Sequence, residues 1–366
     1  MPYKISGTKS ETARVIIFKE SDWTIESNTV ISGSGAYEVE DLETGDKLVF
    51  ARSEDGWIEG FGGVSSEYYT PPGPRGVFAG GGGPLNLIEY VIISTPGNAT
   101  DFGDLTTARF NSAATSNGTN NRGVIGGGLD GSNRVNIIDY ITISSTGNAQ
   151  NFGDLTMPRD QLAAASNKTG DRGVFAGGYT SYFNIIDYIT ISSAGDATDL
   201  GDLTTKRRDL DGTDNGTNNR GIFGGGNDAG FLTNVVDYIT ITNTSNASNF
   251  GDLIDQRSAI MATSNGTNNR AVFAGGDSGP YVNIIEYFTI TSLGNGTNFG
   301  DLTTGSVSGA ACSNTTSERG LFAIGRDGSG TLVNSVDYIT ISSIGDATDF
   351  GDLTAERQSM SATSNA

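Results

Sequence analysis

Arg122-Gly123-Val124-Ile125-Gly126-Gly127-Gly128, a loop, Asn136-Ile137-Ile138-Asp139-Tyr140, and then Phe152-Gly153-Asp154-Leu155 make up one copy of a frame that recurs six times in the last four-fifths of this chain. Its landmark tyrosines are Tyr90, Tyr140, Tyr188, Tyr238, Tyr287 and Tyr338, spaced 50, 48, 50, 49 and 51 residues apart. Between the landmarks run short apolar stretches separated by Gly, Asn, Thr and Ser turns, with no helical period. A repeat of about fifty residues built from short strands is the pattern of a β-propeller blade.

Each copy reads as four strands. Strand A is half-apolar, as in Ser258-Ala259-Ile260-Met261-Ala262-Thr263. Strand B is Gly173-Val174-Phe175-Ala176-Gly177-Gly178 and its equivalents; strand C is Ile185-Ile186-Asp187-Tyr188-Ile189-Thr190-Ile191; strand D is the short segment ending in Gly-Asp-Leu. A polar turn such as Asn-Gly-Thr-Asn-Asn joins A to B, and its Asn-Gly suits a hairpin. The copies are cut out of phase at the two ends of the run. The first opens on strand B at Arg75, whereas the chain finishes on an A strand after Glu356-Arg357. The two halves complete one blade, so the C-terminal strand is expected to pair with residues 76–81 and close a ring of six. Closure removes the open sheet edges that would otherwise invite aggregation.

Residues 1–66 lie outside the repeat. Arg14–Phe18 and Lys47–Ala51 are apolar runs, Gly35–Val39 alternates as a half-buried strand does, and the segment is expected to form a small β-sandwich serving for attachment. Residues 67–74, Glu-Tyr-Tyr-Thr-Pro-Pro-Gly-Pro, read as a stiff linker, because prolines favour an extended backbone. The propeller is assigned to residues 75–366, giving an all-β protein.

Composition removes several classes of function. There is no His and one cysteine, Cys312. The commonest general base and metal ligand is therefore absent, and neither an intrachain disulfide nor a thiolate cluster can form. Cys312, within Ala310-Ala311-Cys312, reads as a small core residue. No catalytic residue, metal site or cofactor is expected. The net charge of −20 argues against a nucleic-acid partner. No stretch is long and apolar enough to insert in a membrane, and the N-terminus has no signal-peptide pattern.

The frame itself carries twelve acids, namely the residue before each Tyr and the Asp of each Gly-Asp-Leu, against eleven arginines. These are expected to form ladders of paired groups between strands, leaving the excess negative charge to loops and the N-terminal segment. The Gly-Gly pairs read as close backbone packing, the six Tyr as packing residues with satisfied hydroxyls, and Asn86, Asn136, Asn184, Asn234, Asn283 and Asn334 as turn residues entering strand C. The Asn-x-Ser/Thr triplets read as turn composition, and acidic turns such as Asp196-Ala197-Thr198-Asp199 as solvated rather than Ca²⁺-binding.

The order of Arg, apolar strand, Gly-Gly, [Asp/Glu]-Tyr and an aromatic twelve residues on resembles a kelch repeat over residues 75–366. The resemblance implies a six- or seven-bladed propeller that binds proteins or glycans. The chain departs from that pattern in three places: Phe or Leu200 stands for the kelch Trp, Ile324-Gly325 for one Gly-Gly, and Ser306 for one arginine. The copper-oxidase activity of some kelch-like propellers requires His ligands and does not carry over. Gly33–Leu48 resembles the core of carboxypeptidase-regulatory-like (transthyretin-like) domains, which implies a non-catalytic sandwich. The Gly/Asn/Thr/Ser-rich style of the whole is similar to marine bacteriophage virion structural proteins.

Only the B–C loops break the symmetry. They span 82–85, 129–135, 179–183, 227–233, 277–282 and 326–333, and they carry the candidate binding residues Arg134, Tyr179, Tyr182, Phe183, Phe231, Tyr281 and Arg326. In an up-and-down blade these loops share a face with the D–A connections, the usual place for recognition on a uniform scaffold. The expected function is a non-enzymatic, tail- or capsid-associated virion protein, assembled in the host cytoplasm. Its N-terminal domain would contact other virion proteins and its propeller a host-surface glycan or protein. The alternatives are a bacterial kelch-like interaction module or lectin and, behind these, a carbohydrate-active hydrolase.

Overall fold

The chain divides into two compact units, Met1–Gly73 and Pro74–Ala366. The computed structural model describes residues 73–314 and 318–365 in full and, within 1–72, the backbone of seven strands. These seven strands form two antiparallel sheets. One orders Gly35–Leu42, Tyr3–Lys9 and Ser65–Glu67, and the other Thr24–Ile31, Ala13–Lys19, Lys47–Ser53 and Gly56–Trp57. The three runs singled out in the sequence fall on strands. The side-chain packing that would make these sheets a sandwich, and the linker residues 68–72, lie outside the described residues.

Residues 74–365 form six four-stranded antiparallel sheets. Blade 2 is representative, with A at Ala113–Ser116, B at Arg122–Gly126, C at Ile137–Thr142 and D at Gln150–Asp154. Blade 1 takes its A strand from the far end of the chain. Ser361–Ser364 pairs with Arg75–Ala79 in the register Ser361↔Ala79 to Ser364↔Gly76, followed outward by Leu87–Ile92 and Thr100–Asp104. The phase of the repeat foretold this closure.

Side-chain alternation explains why the blades stack. In strand B, Val174 and Phe175 are both fully buried but face opposite ways. Val174 packs into the seam with blade 4, Phe175 into the seam with blade 2. The six hydrophobic clusters each occupy one seam, so the core is distributed between blades. The Phe of Phe-Gly-Asp-Leu reaches its seam through a bulge in strand D and meets the frame Tyr edge-on at about 6 Å in five blades. The A strands converge on the axis, where only small residues fit. Their second residues are Ala114, Ala164, Gly212, Ala262, Ala311 and Ala362.

Polar rings tie every seam. Six residues at the D–A ends, Asn111, Gln161, Asp209, Ala259, Ser308 and Ser359, sit in the left-handed region with φ of 52–58°. The N–H of each donates to the carbonyl of its counterpart in the preceding blade at 2.6–3.0 Å, and Asn111 completes the circle by donating to Ser359. At the opposite face the A–B connection is a five-residue turn with a 3-10 segment, not a two-residue hairpin turn; Asn121 adopts φ 68° at its end. There Asn117, Asn167, Asn215, Asn265, Asn314 and Asn365 each accept a hydrogen bond from the N–H of the strand-B arginine. Asn117 also donates to Asp171 of blade 3, and Asn365 to Asn121 of blade 2. Several Asn-x-Thr triplets are thus buried turn anchors. The C–D turns add a further ring, in which Asn98, Asn148, Asp196, Asn246, Asn295 and Asp346 each accept from the Gly-Asp-Leu aspartate N–H of the blade before, at 3.1 Å.

Candidate functional site

The repeated charges must be placed before any of them can be called functional. Five D–A arginines are fully buried and pair across a seam with the acid preceding the next blade's Tyr: Arg109 with Asp139, Arg159 with Asp187, Arg207 with Asp237, Arg257 with Glu286, and Arg357 with Glu89. Burial pulls these guanidinium groups below their ordinary pKa and pushes the Glu89 and Glu286 carboxyls up. Each ion is tenable because it is paired and hydrogen-bonded. The expected ladder covers only this half of the frame. The strand-B arginines stack on the Tyr of their own blade at 4.2–4.7 Å and donate to an Ile carbonyl of the next blade at 2.9–3.2 Å. A guanidinium spreads its charge over a flat face and still has N–H groups to spare, so it can do both.

The Gly-Asp-Leu aspartates form no ion pair among the described residues; they are half-buried or exposed. The frame tyrosines are half-buried, and a hydroxyl hydrogen bond is seen for Tyr140, to Gln150. The Gly-Gly reading holds. Gly127 has φ 67°, and a Cβ there would lie 2.6 Å from the Arg159 carbonyl oxygen. The strand-C asparagines are turn residues, each accepting from the Leu N–H of Gly-Asp-Leu at 2.7 Å.

With the frame accounted for, the asymmetric residues stand out on the face shared by the B–C and D–A connections. Arg134 of blade 2 and Arg208, which precedes blade 4, flank the Tyr179 ring of blade 3 at 4.5 and 4.6 Å. Tyr182, held at φ 58°, meets Tyr179 edge-on at 5.0 Å. Arg134 bonds Asp160 at 2.8 Å; Arg208 donates to Gln161 at 3.1 Å and lies 3.6 Å from Asp209. Gln161 in turn donates to Asp209 at 2.6 Å. The backbone of Arg208 pairs with Asn227, the base of a hairpin formed by Asn227–Asp228 and Phe231–Leu232. At its tip Phe231 is 78% exposed, the most exposed large apolar side chain among the described residues.

Of the seven sequence-selected residues, the structure gathers Arg134, Tyr179 and Tyr182 into one cluster and places Phe231 on the adjoining hairpin. The other three lie apart. Phe183 is half-buried, with its N–H on the Gly178 carbonyl. Tyr281 lies beside Gly330 of the blade 6 loop. Arg326 is held by Gln358 and by the Gly330 carbonyl. Tyr179 is not a free stacking platform, since guanidinium groups flank its ring. The sequence reading missed Arg208, Asp160, Gln161 and Asp209. Their signal was available in the two positions after the D–A arginine, which differ among the six copies as much as the B–C loops do.

The same sector holds an acidic strand. Blade 4 strand A carries Asp211 and Asp214 and is preceded by Asp209, where other copies have Ala, Ser, Met, Asn or Gln. Burial pushes the Asp209 carboxyl up to about 6, against the opposing pull of Arg208, and the Asp211 carboxyl up to about 7. No group of three or more potential metal ligands occurs among the described residues. Cys312 is buried, its thiol pushed up to about 12, which leaves no nucleophilic thiolate at neutral pH. No helix among the described residues is long and apolar enough to cross a membrane.

No protein-family model matches the sequence, and no curated protein is significantly similar to it.

Proposed function

We propose that this protein is a non-enzymatic display protein of a bacteriophage virion, tail- or capsid-associated, whose propeller presents the B–C/D–A face to a partner. The observation that carries the binding reading is the gathering of non-repeated arginines and aromatics on one sector of a repeated frame. The repeated polar groups are committed to seams, while Arg134, Tyr179, Tyr182, Arg208 and the Phe231 hairpin occupy one sector over blades 2 to 4. Rigid aromatics and arginines clustered on a scaffold favour protein recognition. Phe231 offers the one fully presented aromatic there, open to an apolar pocket or a sugar ring.

The non-enzymatic part of the reading is supported by the way the two acids beside Tyr179 are committed: Asp160 bonds Arg134, and Asp209 bonds Gln161 beside Arg208. Virion membership rests on the chain's composition and its small β module before a display domain. The kelch-like interaction module or lectin would use the same face.

Electron microscopy of native particles with an antibody against residues 75–366 tests the proposal. Decoration of a tail or capsid position is expected. Particles that lack the protein, with the protein recovered from uninfected cells, would overturn virion membership. Hydrolysis of host polysaccharide that is lost on changing one non-repeated carboxylate would overturn the display reading.

A further inference from the structure

A cavity of about 100 Å³ opens on the propeller axis at the B–C/D–A face. That is room for a few water molecules. Its rim is the left-handed ring that runs from Asn111 to Ser359, whose N–H and carbonyl groups satisfy one another around the circle. The rim backbone therefore has little left to offer a ligand, and anything bound must be held by side chains. Below the rim the wall is the belt of alanines and Gly212. One charged side chain interrupts this lining from below the rim: Asp211 of blade 4, where the equivalent positions hold Ala113, Ala163, Met261, Ala310 and Ser361.

Asp211 accepts from the N–H groups of Gly212 at 2.8 Å and Ala262 at 2.7 Å, one on each oxygen. It has no ion-pair partner among the described residues, in contrast to the five seam carboxylates. Each oxygen keeps a second lone pair. Asp209, on the rim above, adds a second carboxylate whose nearest cation, Arg208, is 3.6 Å away. A half-buried carboxylate on an apolar wall, facing a small open cavity, is complementary to a compact cation that brings its own hydrogen-bond donors and an apolar stem.

We propose that this axial cavity is a binding site for a primary alkylammonium group, with Asp211 as its anchor and the alanine belt enclosing the first methylenes. A lysine side chain of a partner protein and a free aliphatic amine share this chemistry. The site does not depend on virion membership.

The test is calorimetric titration of the full chain at pH 8 with n-butylammonium chloride, against sodium chloride at equal ionic strength. Saturable binding of n-butylammonium is expected, weakened at least tenfold in Asp211→Asn and in Asp211→Ser, and unchanged in the exposed control Asp101→Asn. Both Asp211 variants are first checked for a cooperative melt, and the second serves if the first does not fold. A parallel titration with an extended peptide bearing one central lysine identifies the source. Tighter binding than the free amine supports a protein side chain, and weaker binding supports a small amine. Absence of saturable binding by either probe, or binding undiminished in a folded Asp211 variant, overturns the proposal.

Discussion

Asp187 and Asp337 occupy the same position in their blades and live in opposite circumstances. Asp187 meets the buried Arg159 guanidinium at 3.1 Å and takes two hydrogen bonds from Thr156. Asp337 keeps the two bonds from the corresponding Thr303, but Ser306 stands where the arginine would be. The Ser306 Oγ is buried without a partner, and burial pushes the Asp337 carboxyl above its ordinary range. Removing one partner of a buried pair strands the other charge, at about 3–5 kcal/mol. Asp187→Asn is therefore expected to destabilise the propeller by about that much, because Arg159 remains. Asp337→Asn strands nothing and removes a disfavoured charge, so it is expected to be neutral or stabilising. The sign with pH follows from linkage. A carboxyl whose folded pKa is raised contributes stability that is full below its unfolded pKa and lost as pH rises through the folded value. Asp337→Asn should therefore gain more at pH 8 than at low pH, where the carboxyl is protonated in both states. Denaturant melts of both variants at pH 5 and pH 8 check this, and a loss of stability in Asp337→Asn equal to that in Asp187→Asn would contradict it.

At the scale of the strand, closure of the ring rests on the last eleven residues. Residues 356–366 supply Arg357 for Glu89, Met360 for the seam between blades 6 and 1, the A strand of blade 1, and Asn365 for the N–H of Arg75. Their deletion opens both neighbours of blade 1, and the truncated protein is expected to aggregate or melt without cooperativity, read by circular dichroism and light scattering. This element was legible in the sequence because a repeat states its own phase. The pairing of frame charges was not, because twelve acids and eleven arginines can be matched in many ways and only the stagger between blades selects one. The left-handed rim was hidden for a different reason. Asn111, Gln161, Asp209, Ala259, Ser308 and Ser359 share a backbone conformation but no side-chain type, and a motif search sees side chains. The candidate cluster was half legible: variable loops showed where to look, but not that Arg134 and Arg208 converge on one tyrosine.

Strand A of blade 4 carries a second pH prediction. Burial pushes the Asp211 carboxyl from its ordinary 3.8 up to about 7, and Asp209 from 3.8 up to about 6. Asp214 on the same strand, Lys168 lining the axis beside it, and Arg208 and Asp160 beside Asp209 are the other charged groups of this neighbourhood among the described residues. By the same linkage rule, the contribution of Asp211 is full below about pH 4 and is lost as pH rises to about 7. Wild-type melting temperature is expected to decline across that window more than that of Asp211→Asn. Parallel curves for the two proteins would show that Asp211 does not titrate there.

For the propeller, the central division is between a sixfold scaffold and the connections that depart from it, of which those over blades 2 to 4 gather arginines and aromatics. The scaffold's arginines and asparagines tie each blade to the next, so substitutions among them act first on stability. Within the sector Phe231 is exposed at a hairpin tip, so its loss is expected to leave the melt nearly unchanged, whereas removing Arg134 would leave the buried Asp160 without its cation. This gives a test that separates binding from folding. Phe231→Ala is expected to shift the melt little, while reducing adhesion of the purified protein to its host surface or virion partner tenfold or more, a loss of about 1.4 kcal/mol or greater. Tyr281→Ala, in the blade 5 loop beside Gly330 and outside the cluster, serves as the control and should adhere as wild type does. Adhesion lost in Tyr281→Ala and kept in Phe231→Ala would move the recognition surface to blades 5 and 6. Adhesion kept in both variants would remove the exposed Phe231 tip from the recognition surface.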